Sequence, residues 1–334
     1  MNVAIVGATG YTGLELVKML IDHPKFNLTY ISNSTGDSKI SDLHPSLKGV
    51  CEQEVKKADA KEIAKECQLV FLALPHKTAM DFAKELISLG LKVVDLSSDY
   101  RLTLENYEKA YCPHIDKENL EHSVYGLPEF YQKEISNAKL VANPGCYPTA
   151  TLLGLIPFID YIQEDSQIFI DAKSGVSGAG KKLSEAAHFP NLNENIFAYN
   201  PLIHRHGVEI NEKVELLKEK NFQVNFVPQL IPATRGMLVN IYATLKDNIN
   251  PEQILKEFYS DSKFVRLREN PVNIKDTAGT NFCDIFAKSD KKALFVSSSI
   301  DNLLRGASSQ AVVNANIMAG FDEDLGVPKI AYVP

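Results

Sequence analysis

Cys146 is the residue whose surroundings best suit covalent chemistry. It lies in the run NPGCYPT (143–149), between a short apolar segment and an apolar stretch of helical character over 147–155. The start of a helix lowers the pKa of a thiol, because the helix dipole and nearby N–H donors stabilise the nucleophilic thiolate. The same N–H groups can stabilise an oxyanion. The alternative is that Cys146 is an inert cysteine packed in the core. The other four cysteines of the chain are interpreted in that way: Cys51, Cys67, Cys112 and Cys283.

Two histidines in the run HRHGVEI (204–210) are candidates for proton transfer. Forming and cleaving a thioester requires a group that exchanges a proton near neutral pH, and histidine is the usual one. His204 and His206 are also compatible with the start of a metal site, but no third ligand stands at a recognisable spacing, so no metal is predicted. Structural histidines on a polar loop are the other interpretation.

Two arginines are candidates for binding an anionic substrate. Arg101 ends the run DLSSDYR (95–101), which follows a predicted strand, and Arg235 lies in PATRG (232–236) between two strand-like runs. The planar guanidinium group binds phosphate or carboxylate oxygens in pairs. Either arginine is equally compatible with an ordinary ion pair at the surface.

The glycine-rich run GATGYTG (7–13) directly follows the first predicted strand and opens a helix. Glycine permits the sharp turn and the close approach of the backbone to a pyrophosphate, and the helix N-terminus attracts the anion. A structural turn is the alternative, but the position between strand and helix at the N-terminus favours dinucleotide binding.

The end of the second predicted strand favours NADP over NAD. NAD-specific domains place an acidic residue there to bind the ribose, whereas this chain has YISNST (30–35), with no carboxylate to repel a 2′-phosphate. Ser32, Ser34 and Thr35 are candidate donors to that phosphate. A polar turn without a ligand is the other interpretation.

The apolar pattern divides the chain into two parts. In the first 145 residues, short runs rich in Val, Ile and Leu alternate with amphipathic stretches at 14–21 and 81–89, as in a parallel sheet covered by helices. Later runs are longer and predict a mostly antiparallel sheet. A final stretch over 306–320 has helical spacing. The predicted strands lie at 2–7, 27–32, 68–74, 91–96, 139–142, 167–172, 224–230, 238–245 and 294–298.

Composition indicates an ordinary soluble protein with enough apolar residues for a packed core. The chain has 334 residues, 45% of them hydrophobic and 23% charged, with a formal net charge of -7. Neither a nucleic-acid partner nor a membrane is expected, because basic residues are scattered and no run approaches the ~20 apolar residues of a membrane span. The N-terminus does not look like a secretion signal, so we expect a cytoplasmic location. An odd number of cysteines, 5, without a CxxC pair predicts neither disulfides nor a zinc ribbon.

Taken together, the motifs closely resemble those of N-acetyl-gamma-glutamyl-phosphate reductases, from residue 2 to about residue 320. The glycine run alone is shared with aspartate-semialdehyde dehydrogenases, whereas NPGCYPTA with HRHxxEI is specific to the reductases. The segments that carry the resemblance are GATGYTG (7–13), FLALPH (71–76), DLSSDYRL (95–102), YGLPE (125–129), NPGCYPT (143–149), SGVSGAG (174–180), HRHGVEI (204–210), PATRG (232–236) and DNLLRGASSQAVVN (301–314).

The resemblance implies an α/β protein of two domains. A Rossmann-type NADP-binding domain over 1–145 and about 306–334 includes a C-terminal helix that returns to it. An α+β domain over 146–305, with a mostly antiparallel sheet, carries the substrate and oligomer contacts. A homo-oligomer, dimer or tetramer, is therefore expected.

The resemblance also implies an activity: reduction of N-acetyl-L-glutamyl 5-phosphate to N-acetyl-L-glutamate 5-semialdehyde by NADPH, with release of phosphate, in arginine biosynthesis. Cys146 is then the nucleophile and His204 the acid/base. The implied group around the substrate is Tyr199, Arg205, His206 and Glu209, to which Arg101 and Arg235 are added as the anion-binding candidates named above. The implied cofactor-binding group is Gly7, Thr9, Gly10, Tyr11, Thr12, Gly13, Ser34, Ala73, Pro75, Ser177, Gly178 and Gln310.

Two other functions remain open from the residues. One is reduction of a related acyl phosphate, either aspartyl phosphate or an aminoadipyl phosphate carried on a protein in lysine biosynthesis. No strong basic cluster is present to receive an acidic carrier, which favours the free metabolite. The other is a non-enzymatic NADP-binding regulator, for which the combination of Cys146 with His204 has no use.

Overall fold

The computed structural model describes residues 1–220 and 222–332, and these form two compact units. The first consists of Met1–Pro144 and Ala307–Pro328; the second consists of Gly145–Gly306 and the described residues from Lys329 onward. This tail groups with the second unit rather than the first, where the sequence analysis places it. Contacts made by Tyr332 are the reason: its N–H donates to the Ala278 carbonyl at 3.3 Å, and its ring lies 5.7 Å from the Arg235 guanidinium.

The first unit is built on an eight-stranded sheet. Its strands pair in the order β3-β4-β2-β1-β5-β6-β8-β7, and every pair is parallel except β3 with β4. The central strands are short runs of buried aliphatic residues, as expected for a sheet covered on both faces. The strands are β1 (Asn2–Val6), β2 (Asn27–Asn33), β3 (Ser38–Lys39), β4 (Glu54–Lys57), β5 (Leu69–Leu72), β6 (Lys92–Asp95), β7 (Val124–Tyr125) and β8 (Leu140–Ala142).

Helices cover this sheet, and the last helix of the chain is one of them. Every residue of that helix, α12, is buried, and it packs against α1, α7 and β6. The return of the C-terminal helix to the first domain is thereby confirmed. The helices of the unit, numbered along the chain, are α1 (Tyr11–Leu20), α2 (Ile40–Leu43), α3 (Ala60–Glu66), α4 (Thr78–Ser88), α5 (Leu104–Ala110), α6 (Lys117–Glu121), α7 (Pro128–Asn137) and α12 (Ser308–Met318).

The second unit contains a seven-stranded sheet in the order β10-β11-β9-β12-β15-β14-β13. It is mostly antiparallel, as predicted, but β9 with β11 and β13 with β14 are parallel pairs. The long strands alternate buried and more exposed residues, so one face is packed and the other open. The strands are β9 (Gln167–Gly175), β10 (Phe197–Ala198), β11 (Gln223–Ile231), β12 (Met237–Thr244), β13 (Val265–Leu267), β14 (Cys283–Asp290) and β15 (Ala293–Ile300).

Helix α8 forms the centre of the second unit. All its residues after Cys146 are buried, and it packs against β12, β15 and α10. A helix that is apolar on all sides is stable only inside a core, which fixes the position of its first residue. The helices of the unit are α8 (Cys146–Leu155), α9 (Phe189–Leu192), α10 (Arg205–Lys218) and α11 (Pro251–Phe258). Within the described residues, no helix combines the length and apolar character needed to cross a bilayer.

Candidate active site

In the first unit, the three glycines of the loop between β1 and α1 meet different steric demands. Gly7 has φ +98°, and a β-carbon there would lie 2.3 Å from the Ala73 carbonyl oxygen. A β-carbon on Gly13 would lie 2.6 Å from the Gly7 carbonyl oxygen. On Gly10, by contrast, the nearest atom would be Thr12 Oγ1 at 3.9 Å. Gly7 and Gly13 therefore allow close packing of the loop, whereas Gly10 leaves its outer surface open, as a pyrophosphate requires.

The backbone around this loop is held by its neighbours. The Ser32 carbonyl accepts from the N–H groups of Gly7 and Ala8 at 2.9 and 3.1 Å. The Ser308 hydroxyl donates to the Thr12 carbonyl at 2.9 Å. Helix α1 begins at Tyr11 after Gly10, which has no side chain to cap it, and its first turn contains no acidic residue. The positive end of the helix dipole therefore faces no carboxylate from its own first turn.

The turn after β2 leaves two of the three predicted phosphate donors, Ser34 and Thr35, exposed. Ser32 is fully buried and its hydroxyl donates to the Ile5 carbonyl at 3.2 Å, so the suggestion that it binds a phosphate is wrong. The Asn33 side chain accepts from the Thr35 N–H at 2.9 Å and the Thr35 hydroxyl at 3.2 Å. Ser34 is exposed at the tip of this turn. Thr9 is also exposed on the neighbouring loop.

Gln310, on α12, carries an unused acceptor inside the first unit. Its Nε2 group donates to the Gly126 carbonyl at 3.1 Å, but its fully buried Oε1 has no hydrogen-bond partner among the described residues. A buried acceptor without a partner is costly, and a bound amide donor relieves that cost. Ala73 and Pro75 follow β5, where Ala73 N–H donates to the Val6 carbonyl at 2.8 Å and Pro75 is exposed.

Arg101 is buried in the first unit and holds two strand ends together. Its Nε donates to the Asn143 carbonyl at 2.7 Å, and Nη2 donates to the Leu96 carbonyl at 2.8 Å. Nearby, burial raises the pKa of Asp95 to about 7, despite hydrogen bonds from Ser97 that favour ionisation. Arg101 thus fixes the segment that leads into Cys146, and its predicted contact with substrate stays a prediction.

In the second unit, Cys146 is the first residue of α8 and is partly exposed. The preceding N–H, of Gly145, donates to Glu209 Oε1 at 3.0 Å. Glu209 lies on α10 and is only 1% exposed, so its carboxylate is directed at the backbone beside the thiol. Helix α10 therefore fixes the start of the helix that carries Cys146.

His204 is the N-cap of α10 rather than a loop residue. Its Nδ1 accepts from the N–H of His206 at 3.1 Å, which assigns the proton of the neutral ring to Nε2. Burial, with a smaller contribution from Arg205, lowers the pKa of His204 to about 4. His204 is therefore neutral at physiological pH and offers an Nε2–H donor.

Two tyrosines pack around the histidines. The Tyr199 hydroxyl donates to the Tyr147 hydroxyl at 3.1 Å, which in turn donates to the Gln229 carbonyl at 3.2 Å. The His204 ring lies 5.4 Å from the Tyr199 ring, and the His206 ring lies 5.9 Å from the Tyr147 ring. Burial raises the pKa of Tyr199 to about 12, so it remains a neutral donor. Arg205, next to the N-cap, is exposed.

The remaining predicted residues of this unit lie on two loops. Ser177 is buried and its hydroxyl accepts from Asn302 Nδ2 at 3.0 Å, while Gly178 beside it is exposed. Arg235 pairs with the buried carboxylate of Asp301, with Nε at 2.9 Å. This salt bridge gives Arg235 a structural role, and its predicted contact with substrate stays a prediction.

Two domain families match nearly the whole chain. The family described as "Semialdehyde dehydrogenase, NAD binding domain" matches residues 2–138, and "Semialdehyde dehydrogenase, dimerisation domain" matches residues 146–302. An N-acetyl-gamma-glutamyl-phosphate reductase of a Sulfurovum species is 61% identical and covers 100% of both chains. The Wolinella succinogenes protein of the same name is 60% identical over 99% of this chain and 98% of its own length. This chain belongs to the N-acetyl-gamma-glutamyl-phosphate reductase family.

Solved structures of semialdehyde dehydrogenases share the fold of this family. Aspartate semialdehyde dehydrogenase II from Vibrio cholerae has a TM-score of 0.72 at 16% identity, covering 96% of this chain and 98% of that one. The Candida albicans aspartate semialdehyde dehydrogenase, solved with NADP, has a TM-score of 0.72 at 15% identity, covering 95% and 98%. At such identities the likeness concerns the fold alone.

Two residues that contact the predicted site residues, Tyr147 and Asn302, are not among those predicted from the sequence. Tyr147 follows the cysteine in the quoted motif but was assigned no role, although it contacts both Tyr199 and His206. Asn302 lies in the DNLLRG run and was treated as part of a motif only, yet its side chain bonds Ser177. The signal in the sequence was the place of these two residues inside the quoted motifs, Tyr147 directly after the cysteine and Asn302 within DNLLRG.

Proposed function

We propose that this chain reduces N-acetyl-L-glutamyl 5-phosphate to N-acetyl-L-glutamate 5-semialdehyde with NADPH, through a thioester on Cys146. One observation carries the proposal: a partly exposed cysteine opens a buried helix, and a buried carboxylate holds the amide in front of it. Full-length relatives bearing the reductase name, at 61% and 60% identity, support the choice of substrate.

The residues of the first unit fit a nicotinamide dinucleotide. Gly10 leaves room for the pyrophosphate at the start of α1, and Ser34 stands where the 2′-phosphate of NADP is expected. The free Oε1 of Gln310 suits the carboxamide of the nicotinamide. Bound NADPH supplies the hydride that reduces the thioester. The other proposed cofactor-binding residues are Gly7, Thr9, Tyr11, Thr12, Gly13, Ala73, Pro75, Ser177 and Gly178.

The chemical step begins with Cys146. Its thiolate forms a bond to the acyl carbon, the bond from that carbon to the phosphate oxygen breaks, and phosphate leaves with the electron pair. After reduction, the alkoxide of the thiohemiacetal re-forms a carbonyl and the Cys146 sulfur leaves as thiolate. His204 serves this sequence in its neutral form, because its Nε2–H donates to the negative oxygen at each stage.

Substrate binding is assigned to the predicted arginine, histidine and tyrosine side chains. We place the anionic groups of the substrate on Arg205 and Arg101, with Arg235 as a further candidate, and its polar oxygens on His206 and Tyr199. Glu209 acts through the backbone of Gly145 in this proposal rather than by touching the substrate.

We also propose that two copies associate through the open face of the second sheet. Phe169 and Tyr242 pair across β9 and β12 on that face, and they are 51% and 44% exposed. Aromatic residues on a sheet face are typical of interfaces. The matching family, whose description names a dimerisation domain, supports this assignment. A cytoplasmic location remains a prediction from the sequence.

The decisive assay is NADP-linked, phosphate-dependent oxidation of N-acetylglutamate semialdehyde. Cys146→Ser should lower turnover by about 10⁴-fold or more and leave the dissociation constant of NADP unchanged, because serine lacks a comparable nucleophile. Cys51→Ser, at a partly exposed cysteine of the first unit, is the matched control. Substantial turnover by Cys146→Ser would refute the covalent route. A faster rate with the aminoadipyl analogue would refute the assignment of the N-acetylglutamyl compound as the substrate.

A further inference from the structure

Gly306 lies against the side chain of Cys146 within the second unit. A β-carbon built on Gly306 would be 2.6 Å from Cys146 Cβ and 2.7 Å from the Asn302 carbonyl oxygen. Carbon atoms repel one another well before that separation, since their optimum is about 3.5–4.0 Å. The φ angle of Gly306 is not in the positive region, so its backbone would accept any residue. Space, limited on one side by the Cys146 side chain and on the other by the Asn302 backbone, is therefore what requires glycine here, and not the φ angle.

The turn that carries Gly306 is tied to two other loops by Asn302. We call residues 301–306 the Asn302 turn. Asn302 Oδ1 accepts from the Gly236 N–H at 2.7 Å, and Asn302 Nδ2 donates to the Ser177 hydroxyl at 3.0 Å. The side chain is only 3% exposed, so these bonds are made out of water and fix its orientation.

Asp301 makes the same turn rigid from its other end. Its fully buried carboxylate accepts from the N–H groups of Leu303 and Leu304 at 2.9 and 3.0 Å. The same carboxylate pairs with Arg235. The Gly306 N–H donates to the Asp301 carbonyl at 2.9 Å, and this hydrogen bond closes the turn. Every one of these contacts holds the turn in place without touching the thiol.

We propose that the Asn302 turn positions the nucleophile. The hydrogen bonds of Asn302 fix the turn, and Gly306, which has no side chain, allows the turn to contact Cys146 closely. This contact holds the thiol in the position from which it reacts. This inference rests on the proposed function, because it assigns a role in the same reaction. Residues 301–306 act through Cys146 and are not themselves catalytic.

The test replaces Gly306 with alanine. The methyl group must move away from Cys146 Cβ by about 1 Å to reach a normal contact, and a misplacement of that size costs about 100-fold in rate. We expect kcat of Gly306→Ala to fall about 100-fold while KM and the NADP dissociation constant stay within about threefold. The matched control is Gly154→Ala on α8, where the atoms nearest to the new methyl would be side-chain methyl groups of Ile241 and Val296, at 3.3 and 3.4 Å.

A second variant decides the matter if Gly306→Ala fails to fold. Asn302→Ala adds no bulk but removes the bonds to Gly236 and Ser177, and we expect kcat to fall about tenfold with KM little changed. A kcat within twofold of the parent for Asn302→Ala, or a loss in Gly154→Ala equal to that in Gly306→Ala, overturns the proposal.

Alkylation by iodoacetamide separates this proposal from the proposed function. The rate at which Cys146 is alkylated in the absence of substrate should change several-fold in Gly306→Ala and remain that of the parent in Gly154→Ala. If the parent does not oxidise N-acetylglutamate semialdehyde, the proposed function fails, but the alkylation rates still report on the turn. Equal alkylation rates in all three proteins contradict the positioning role.

Discussion

The two units offer ligands different kinds of surface. In the first, the loop over 7–13 works through its main chain: its glycines lack side chains, and the helix N-terminus supplies the attraction. In the second, the proposed site consists of side chains from α8, α10 and several loops, with Cys146 as the proposed nucleophile. In the proposed function, a cofactor common to many enzymes is held mainly by backbone, whereas the specific chemistry depends on side chains from distant segments.

The difference predicts different consequences of mutation. A substitution in the glycine loop acts by steric exclusion, so it affects cofactor affinity and packing. A substitution around Cys146 affects the rate constant while cofactor binding persists. A glycine-loop variant that lowers the rate constant alone, or a variant near Cys146 that lowers cofactor affinity, would show that cofactor binding and catalysis are not divided between the two units in this way.

After Cys146→Ser, the largest expected effect is that of replacing His204. His204→Asn should lower kcat by about 10²–10⁴-fold with unchanged NADP affinity, because the Nε2–H donor is lost. Asparagine is a favourable N-cap residue, so α10 should stay folded. Because the pKa of His204 is about 4, its protonation should not reduce kcat/KM of the parent as pH falls through about 6.5. Steady-state rates over a pH series test both points, with His122→Asn, at an exposed histidine, as control.

An intermediate effect is expected from a pair of glycine variants. Gly10→Ala places a methyl group on the open side of the loop, so NADP affinity should fall about tenfold or more while the thermal midpoint of the apoprotein is unchanged. Gly13→Ala collides with the Gly7 carbonyl, so both quantities should fall. Fluorescence titration and thermal unfolding distinguish the two. Equal thermal midpoints for the two variants would contradict the assigned division of roles.

The smallest effect concerns Asp95, which lies in the first unit. Burial raises the pKa of Asp95 to about 7. Between pH about 4 and about 7, the carboxyl group is therefore protonated in the folded state but ionised in the unfolded chain. Stability is then lost as pH rises from about 4 through about 7. Asp95→Asn cannot ionise, so its thermal midpoint should exceed that of the parent by about 2–4 °C more at pH about 8.5 than at pH about 5.5. Asp165→Asn, at an exposed carboxyl, should show no such difference.

Much of the fold followed from the sequence, because buried parallel strands leave a plain pattern. Continuous aliphatic runs marked β1, β5 and β6, and the glycines marked the loop after β1. Strand β14 was missed, since its sequence CDIFAKSD becomes polar towards the end and resembles a loop.

The candidate site was less predictable than the fold. Helix α10 went unrecognised because histidine is an unusual N-cap and Gly207 in the first turn disfavours helix. What stabilises it is the burial of Ile210 and Val214 in tertiary packing, which propensity does not record. The contact of Glu209 with Gly145 likewise joins segments far apart in the chain, so no local spacing could reveal it.

The place of α12 in the fold has a consequence for biosynthesis. Residues 1–144 leave the ribosome first, yet the Gly126 carbonyl receives its partners, Gln310 and Asn314, from the end of the chain. A nascent polypeptide therefore exposes an incomplete nucleotide site until translation is nearly finished. Termination ahead of codon 308 would release a product whose second unit lacks only the tail from Lys329 onward but whose first unit lacks its last helix.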